Sequence, residues 1–266
     1  MRRKVFIVFF TALFLLSCSK RENVSIKKVE HFYISSNNTL DIFKVLTEQF
    51  GLPKVWEYQN WGNFTSGGIT LGNVVIELIE KPPEEIITHY GIALEPSQPL
   101  KRTISVLDSA NITHGRVSRA SQWSTVSLTN LLPDSINLFL CDYHDRDFVT
   151  LNRKKAVDKL VSNKGGKLGI QFLKEIRISA ENPAEFENEL AKIPGIVKKE
   201  NEFYFSEGPY LKLIKSDTFF LALLIKVKSI DKAKLELERL NLRTKVTEQG
   251  VEIIDEIFST RITLIE

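Results

Sequence analysis

Four segments of this chain are written in one grammar, and that repetition limits the folds open to it. Each opens on an alternating apolar strand, passes through a polar loop that can cap a helix, runs a helix of about 12 residues and closes on two or three strands. The closing strands look alike. They are Val74-Val75-Ile76-Glu77-Leu78-Ile79-Glu80, the run at 136–143, Pro209-Tyr210-Leu211-Lys212-Leu213-Ile214-Lys215, and Arg261-Ile262-Thr263-Leu264-Ile265-Glu266. The helices carry one apolar stripe each: Leu40, Phe43, Leu46 and Phe50; Leu100, Ile104 and Leu107; Phe186, Leu190 and Ile193; Ile230, Ala233, Leu237 and Leu240. Steps of three and four put each set on one helical face. Asn38 or Thr39, Ser97 before Pro99, Asn182 before Pro183, and Ser229 stand where free amides of a first turn need acceptors.

A β-α-β-β-β unit covers one face of its sheet with its own helix and leaves the other bare. Two such units side by side curl their bare faces around a shared cleft. The chain is therefore read as α+β, with four βαβββ-type modules paired into two domains. Modules 28–83 and 84–147 form the first, and 168–266 forms the second. Residues 148–167, rich in charge and carrying Gly165-Gly166, read as a connection with a short helix at 154–161.

The N-terminus reads as an export signal over residues 1–17. Arg2, Arg3 and Lys4 precede an apolar run too short to span a bilayer, which takes roughly 20 such residues. Leu15-Leu16-Ser17-Cys18 resembles the lipobox of bacterial lipoproteins. That resemblance implies cleavage before Cys18, acylation of its thiol (palmitate among the chains) and a polar tether over 18–27. With Ser19 rather than an acid after the cysteine, it also implies the bacterial cell envelope, on the outer membrane facing the periplasm. The whole chain carries 36 basic and 33 acidic residues, and losing the three signal bases leaves 33 of each. A body with no net charge excess gives no sign of nucleic-acid binding. Cys141 is then the one thiol left, in an apolar strand where a buried, inert state is expected.

The modules resemble the vicinal oxygen chelate superfamily, the glyoxalase and bleomycin-resistance fold. The residues that carry the resemblance are His31-Phe32-Tyr33-Ile34, the helix ending Phe50-Gly51-Leu52, Thr65-Ser66-Gly67-Gly68-Ile69, and Gly72-Asn73 leading into the 74–79 strand. The resemblance covers 28–80 well, 84–143 fairly, and 168–266 in architecture only. It implies one metal ligand on the first and one on the last strand of each module. His31 and Glu77 take those positions in the first module. In the second, ungapped alignment sets Gly91 against His31, while a two-residue loop insertion would set His89 there; the ungapped version is preferred. Leu140 or Cys141 falls near the Glu77 position, with Asp142 the nearest acid. Lys212 and Thr263 hold it in the other two modules, so a metal is expected only in the first domain.

A site of His31, Glu77 and His89 would be two imidazoles and a carboxylate, suited to one divalent metal (Zn, Ni, Mn or Fe). Such a metal would support lyase, isomerase or dioxygenase chemistry on vicinal oxygens. The other reading is a metal-free ligand-binding or scaffolding lipoprotein. Trp56, Trp61 and Trp123, with Tyr58 and Phe64, are dense enough to line a pocket for a small-molecule ligand. Gly67-Gly68 suggests a bulge or a close strand approach. Cys141, Asp142 and His144 alternate across a strand and are not expected to act together. His114 is read as a solvated loop residue.

Overall fold

A computed structural model describes residues 25–62, 64–81, 88–258 and 260–266. The signal, Cys18 and the tether up to residue 24 lie outside the described residues. The first half runs β1 (Ile26–Ser36), α1 (Thr39–Lys44) continuing into a π-helical turn (Val45–Gln49), then β2 (Lys54–Asn60), β3 (Thr65–Thr70) and β4 (Val75–Glu80). It continues with β5 (His89–Pro96), α2 (Leu100–Ser109), β6 (Ser118–Arg119), β7 (Trp123–Leu128) and β8 (Ile136–Tyr143). After α3 (Arg146–Ser162) come β9 (Ile170–Ala180), α4 (Pro183–Leu190), β10 (Val197–Lys199), β11 (Glu202–Tyr204) and β12 (Tyr210–Lys215). The chain closes with β13 (Leu221–Val227), α5 (Ile230–Arg239), β14 (Thr244–Thr247), β15 (Gly250–Ile253) and β16 (Arg261–Ile265).

These elements form two eight-stranded mixed sheets, ordered β2-β3-β4-β1-β5-β8-β7-β6 and β10-β11-β12-β9-β13-β16-β15-β14. Each sheet is two copies of the expected module. Within a module the first and last strands pair in parallel, which needs a long crossover, and the helix with its two strands supplies it. Between modules the first strands pair antiparallel, β1 with β5 and β9 with β13. Alternation along β1 sends Phe32 and Ile34 to the helix side, where they join a core shared by both halves of the chain. His31 and Tyr33 point to the opposite, curved-in face of the first sheet.

The helices depart from the expected pattern in detail. Leu40 is 40% exposed, and the buried face of α1 is instead Thr39, Ile42 and Phe43. The helix then widens, closing with Phe50 N–H on the Val45 carbonyl at 2.9 Å, which carries Val45, Leu46 and Phe50 into the core. Ser229 caps α5 through the Lys232 amide, as its position suggests. At α2 the capping position is Pro99, and the Leu100 N–H donates to Asp142 Oδ2 from β8 at 3.3 Å. A strand acid does there what a local serine was expected to do.

Beside the shared core, the two halves are tied where the Asn73 side chain meets the Leu173 backbone. Asn73 Nδ2 donates to the Leu173 carbonyl at 2.9 Å, and the Leu173 N–H donates to Asn73 Oδ1 at 3.0 Å. Gly72 precedes this contact with φ +89°, and a Cβ there would stand 2.4 Å from the Gln171 carbonyl oxygen. Glycine alone satisfies both the backbone angle and the approach.

Residues 148–167, read from the sequence as a connection with a helix at 154–161, largely form α3, whose helix starts at Arg146. Its many charges look solvated in sequence, but the helix is two-sided. Ala156 and Leu160 are buried, while Phe148, Val149, Asn152 and Arg153 hang over the bare face of the first sheet. Asp145 anchors its start by accepting from the Phe148 N–H at 2.9 Å.

Candidate functional site

The curved face of the first sheet and α3 enclose a cavity of about 320 Å³. One wall is aromatic: Trp56 from β2, Trp61 and Phe64 from the β2–β3 turn, Trp123 from β7 and Tyr143 from β8. All three tryptophans singled out in the sequence line this one space. Tyr58 does not. The β2–β3 register shifts between Trp56 and Gln59, and this irregularity turns Tyr58 to the other face, against Phe43 and the Thr39 hydroxyl. The glycine pair serves both faces. A Cβ on Gly68 would stand 2.4 Å from the Trp56 ring, and one on Gly67 would meet Phe43 and Tyr58.

At the base of the cavity lie His31 and Glu77, 4% exposed and partly buried respectively. His31 Nε2 is 3.4 Å from Glu77 Oε2. Glu77 Oε1 accepts from the Ser66 hydroxyl at 2.8 Å, and Trp56 Nε1 donates to that same Ser66 oxygen at 3.4 Å. Phe139 meets the imidazole edge-on, with centroids 5.8 Å apart at 69°. Behind His31, its Nδ1 contacts the carboxylate of Glu30, which is 2% exposed and sits where the β1–β5 register slips between Val29 and His31. Arg153 of α3 pairs with the other Glu30 oxygen and stacks over the Tyr143 ring, 5.2 Å from guanidinium carbon to centroid.

Burial lowers the His31 pKa from its ordinary value, with Glu77 opposing. Its tautomer follows from its neighbours. Carboxylates flank both nitrogens and only accept; Glu30 at Nδ1 is the one in hydrogen-bond contact, which assigns the proton to Nδ1 and turns Nε2 toward Glu77. Burial also pushes up the Tyr33 and Tyr143 hydroxyls and takes the Cys141 thiol to about 12. All three stay protonated, and Cys141 is buried and inert as expected. Arg153 is drawn down to about 10 by burial and remains a cation.

His89 does not join this site. Ser35 opposes it across β1, while Gly91 opposes Tyr33, so His89 lies at the exposed end of β5 and outside the cavity. The ungapped alignment is the one the register follows. A Cβ on Gly91 would stand 2.0 Å from the Tyr33 ring, so this position faces inward but is already occupied by tyrosine. Tyr33 pairs with Glu77, and Ala93, its counterpart in the second module, pairs with Phe139. Phe139 thus stands at the Glu77 position, rather than Leu140 or Cys141. In the second domain Lys212 occupies it and bonds Glu202 at 2.8 Å.

The other sequence candidates are scattered. Asp142 pairs with Arg146, His144 bonds the Ser124 hydroxyl, and His114 bonds Asp108 in an exposed loop. What sequence reasoning missed is Glu30 and the lining of α3. Phe148, Val149, Asn152 and Arg153 at steps of one and four were the available signal.

No family model matches the sequence, and no curated protein matches it. Solved structures do. Homoprotocatechuate 2,3-dioxygenase from Arthrobacter globiformis superposes with a TM-score of 0.59 at 10% identity, over 91% of this chain and 80% of that one. The anaerobic substrate complex of the Brevibacterium fuscum enzyme with 3,4-dihydroxyphenylacetate gives 0.60 at 9% identity, over 91% and 81%. The fold is that of the vicinal oxygen chelate proteins. An extradiol ring-cleaving dioxygenase structure from B. fuscum matches equally, at 0.59 and 8% identity, over 92% and 72%. At such identities the likeness establishes architecture, and the chemistry has to be read from this chain's own side chains.

Those side chains do not complete a resident metal site. Catalytic zinc and non-haem iron centres take three protein ligands. Here the first module offers two, His31 Nε2 and Glu77 Oε2, and the second module's corresponding positions are Gly91 and Phe139. Among the described residues no three His, Cys, Asp or Glu side chains converge to hold a metal ion. No reaction step is therefore routed through one.

Proposed function

We propose that the cleft of the first domain binds a small, flat, largely apolar organic molecule whose polar group meets His31 and Glu77, without a resident metal. The observation that supports this is the cavity: about 320 Å³, walled largely by aromatic side chains, with His31, Glu77 and Ser66 at its base. Small-molecule sites have this make-up, apolar walls with a few placed polar groups. A metal-dependent reaction on vicinal oxygens, the other expectation from the sequence, finds no third ligand among the described residues.

The test is a fluorescence titration with the neutral fluorophore N-phenyl-1-naphthylamine in excess chelator. Saturable one-to-one binding is expected, with energy transfer from tryptophan, and Trp123→Ala should weaken it roughly tenfold, as for a buried aromatic anchor. Binding that appears only when a divalent metal is added would contradict the reading.

The proposal includes the anchor. A signal at 1–17 and acylation of Cys18 would tether the cleft to the envelope membrane, on the periplasmic side. Among the described residues no helix is long and apolar enough to cross a membrane. Cys18→Ala should move the protein from the membrane to the soluble fraction of cells, and continued sedimentation with membranes would refute the anchor.

A further inference from the structure

Resting on the proposed cleft, the charges around it narrow the class of ligand. Two of the groups lining the cavity carry a full charge, Glu77 and Arg153. Arg153 is already matched by the Glu30 carboxylate behind it, a pair that sums to zero. Among the described residues Glu77 pairs with no Lys or Arg. Its Oε1 takes the Ser66 hydroxyl, and its Oε2 faces the imidazole nitrogen at 3.4 Å. The imidazole's hydrogen bond is with Glu30 through Nδ1, and none joins Nε2 to Glu77 Oε2. Both acceptors face the cavity, so a ligand that fills it cuts them off from water, and a donor placed between them keeps both paired. Around this point stand the faces and edges of Trp56, Phe139 and Tyr33, and ring faces attract cations.

We infer that the ligand is an organic ammonium: a protonated amine, donating to His31 Nε2 and Glu77 Oε2, on an aromatic or alkyl body held among Trp56, Trp61 and Trp123. An anion would meet the unbalanced carboxylate, and a neutral apolar molecule would leave both acceptors unpaired. A cation bearing N–H groups offers both a donor that no described side chain supplies.

The experiment compares three ligands of nearly one shape by calorimetry on the whole protein in chelator at neutral pH: 2-(2-naphthyl)ethylammonium, 2-(2-naphthyl)ethanol and 3-(2-naphthyl)propanoate. The ammonium should bind about 10–100-fold tighter than the alcohol, the range of a charge-assisted hydrogen bond, and the propanoate weakest. Glu77→Gln should bring ammonium and alcohol level. Equal affinities for all three in the wild type would overturn the ammonium assignment while leaving an apolar cleft intact. Tightest binding of the propanoate would overturn it too. If none binds, the assignment falls together with the cleft reading. The wild-type comparison decides the matter even if Glu77→Gln fails to fold, and Ser66→Ala, which frees Glu77 Oε1 without removing its charge, should keep the preference.

Discussion

Replacing Arg153 with methionine should cost the protein about 3–5 kcal/mol, the penalty for removing one partner of a buried ion pair. Glu30 is fully enclosed in the strand layer, with Arg153 on one side of its carboxylate and His31 on the other. Without the guanidinium, a buried charge keeps only a neutral imidazole as partner. Because Arg153 sits on α3, the effect should be local as well as global: the helix that roofs the cleft loses its tie to β1. The measurement is urea denaturation of the single variants and of Glu30→Leu/Arg153→Met. The double variant should recover most of the loss, since a buried pair and an apolar pair of like volume often stabilise about equally. A single-variant loss under about 1 kcal/mol, the range of exposed pairs, would mean that the pair is solvated and α3 is held by other contacts.

How far the sequence led can be judged residue by residue. Periodicity found the modules because each must bury one face of its sheet, and burial writes itself as alternation on strands and as three-four steps on helices. Phe32, Leu78, Leu107 and Leu237 are fully buried members of that core. The family resemblance, rather than periodicity, put His31 and Glu77 at facing positions, and the density of aromatic residues pointed to the three tryptophans around them. Sequence reading failed where pairing between strands decides the outcome. His89 was a candidate because it is a histidine near the right place, but the β1–β5 register sets Gly91, not His89, across from Tyr33. Register is long-range information that one strand's composition does not carry. Glu30 was missed for a related reason: adjacent strand residues point apart unless the ladder slips, and here it slips between Val29 and His31. Tyr58 fell out of the cleft through the same kind of irregularity. The role of α3 stayed hidden under its charges, because the residues that face the cleft include Asn152 and Arg153 and so break an apolar stripe.

The second domain clarifies the first. Its sheet repeats the topology, but the position of Glu77 is Lys212, bonded to Glu202, and Glu175 accepts from Arg177 Nε at 2.6 Å and from the Tyr210 hydroxyl at 2.6 Å. Its charges pair with one another, Arg177 with Glu175 along β9 and Lys212 with Glu202 across β12 and β11. In the first domain the corresponding face keeps Glu77 with no Lys or Arg among the described residues and surrounds it with rings. The same fold thus carries a closed polar face in one half and an open aromatic cleft in the other.

The most direct test of a cleft that works without a resident metal is the metal content of the purified protein. The sample is loaded in turn with Zn, Mn, Ni and Fe(II) under anaerobic conditions, desalted, and analysed alongside His31→Ala and Glu77→Ala. Two protein ligands 3.4 Å apart hold a divalent ion weakly, because the remaining positions fall to water and the opposing module contributes Gly91 and Phe139. The expected result is far less than one equivalent retained, the same in the wild type and both variants. One equivalent retained by the wild type and lost from both variants would contradict the account.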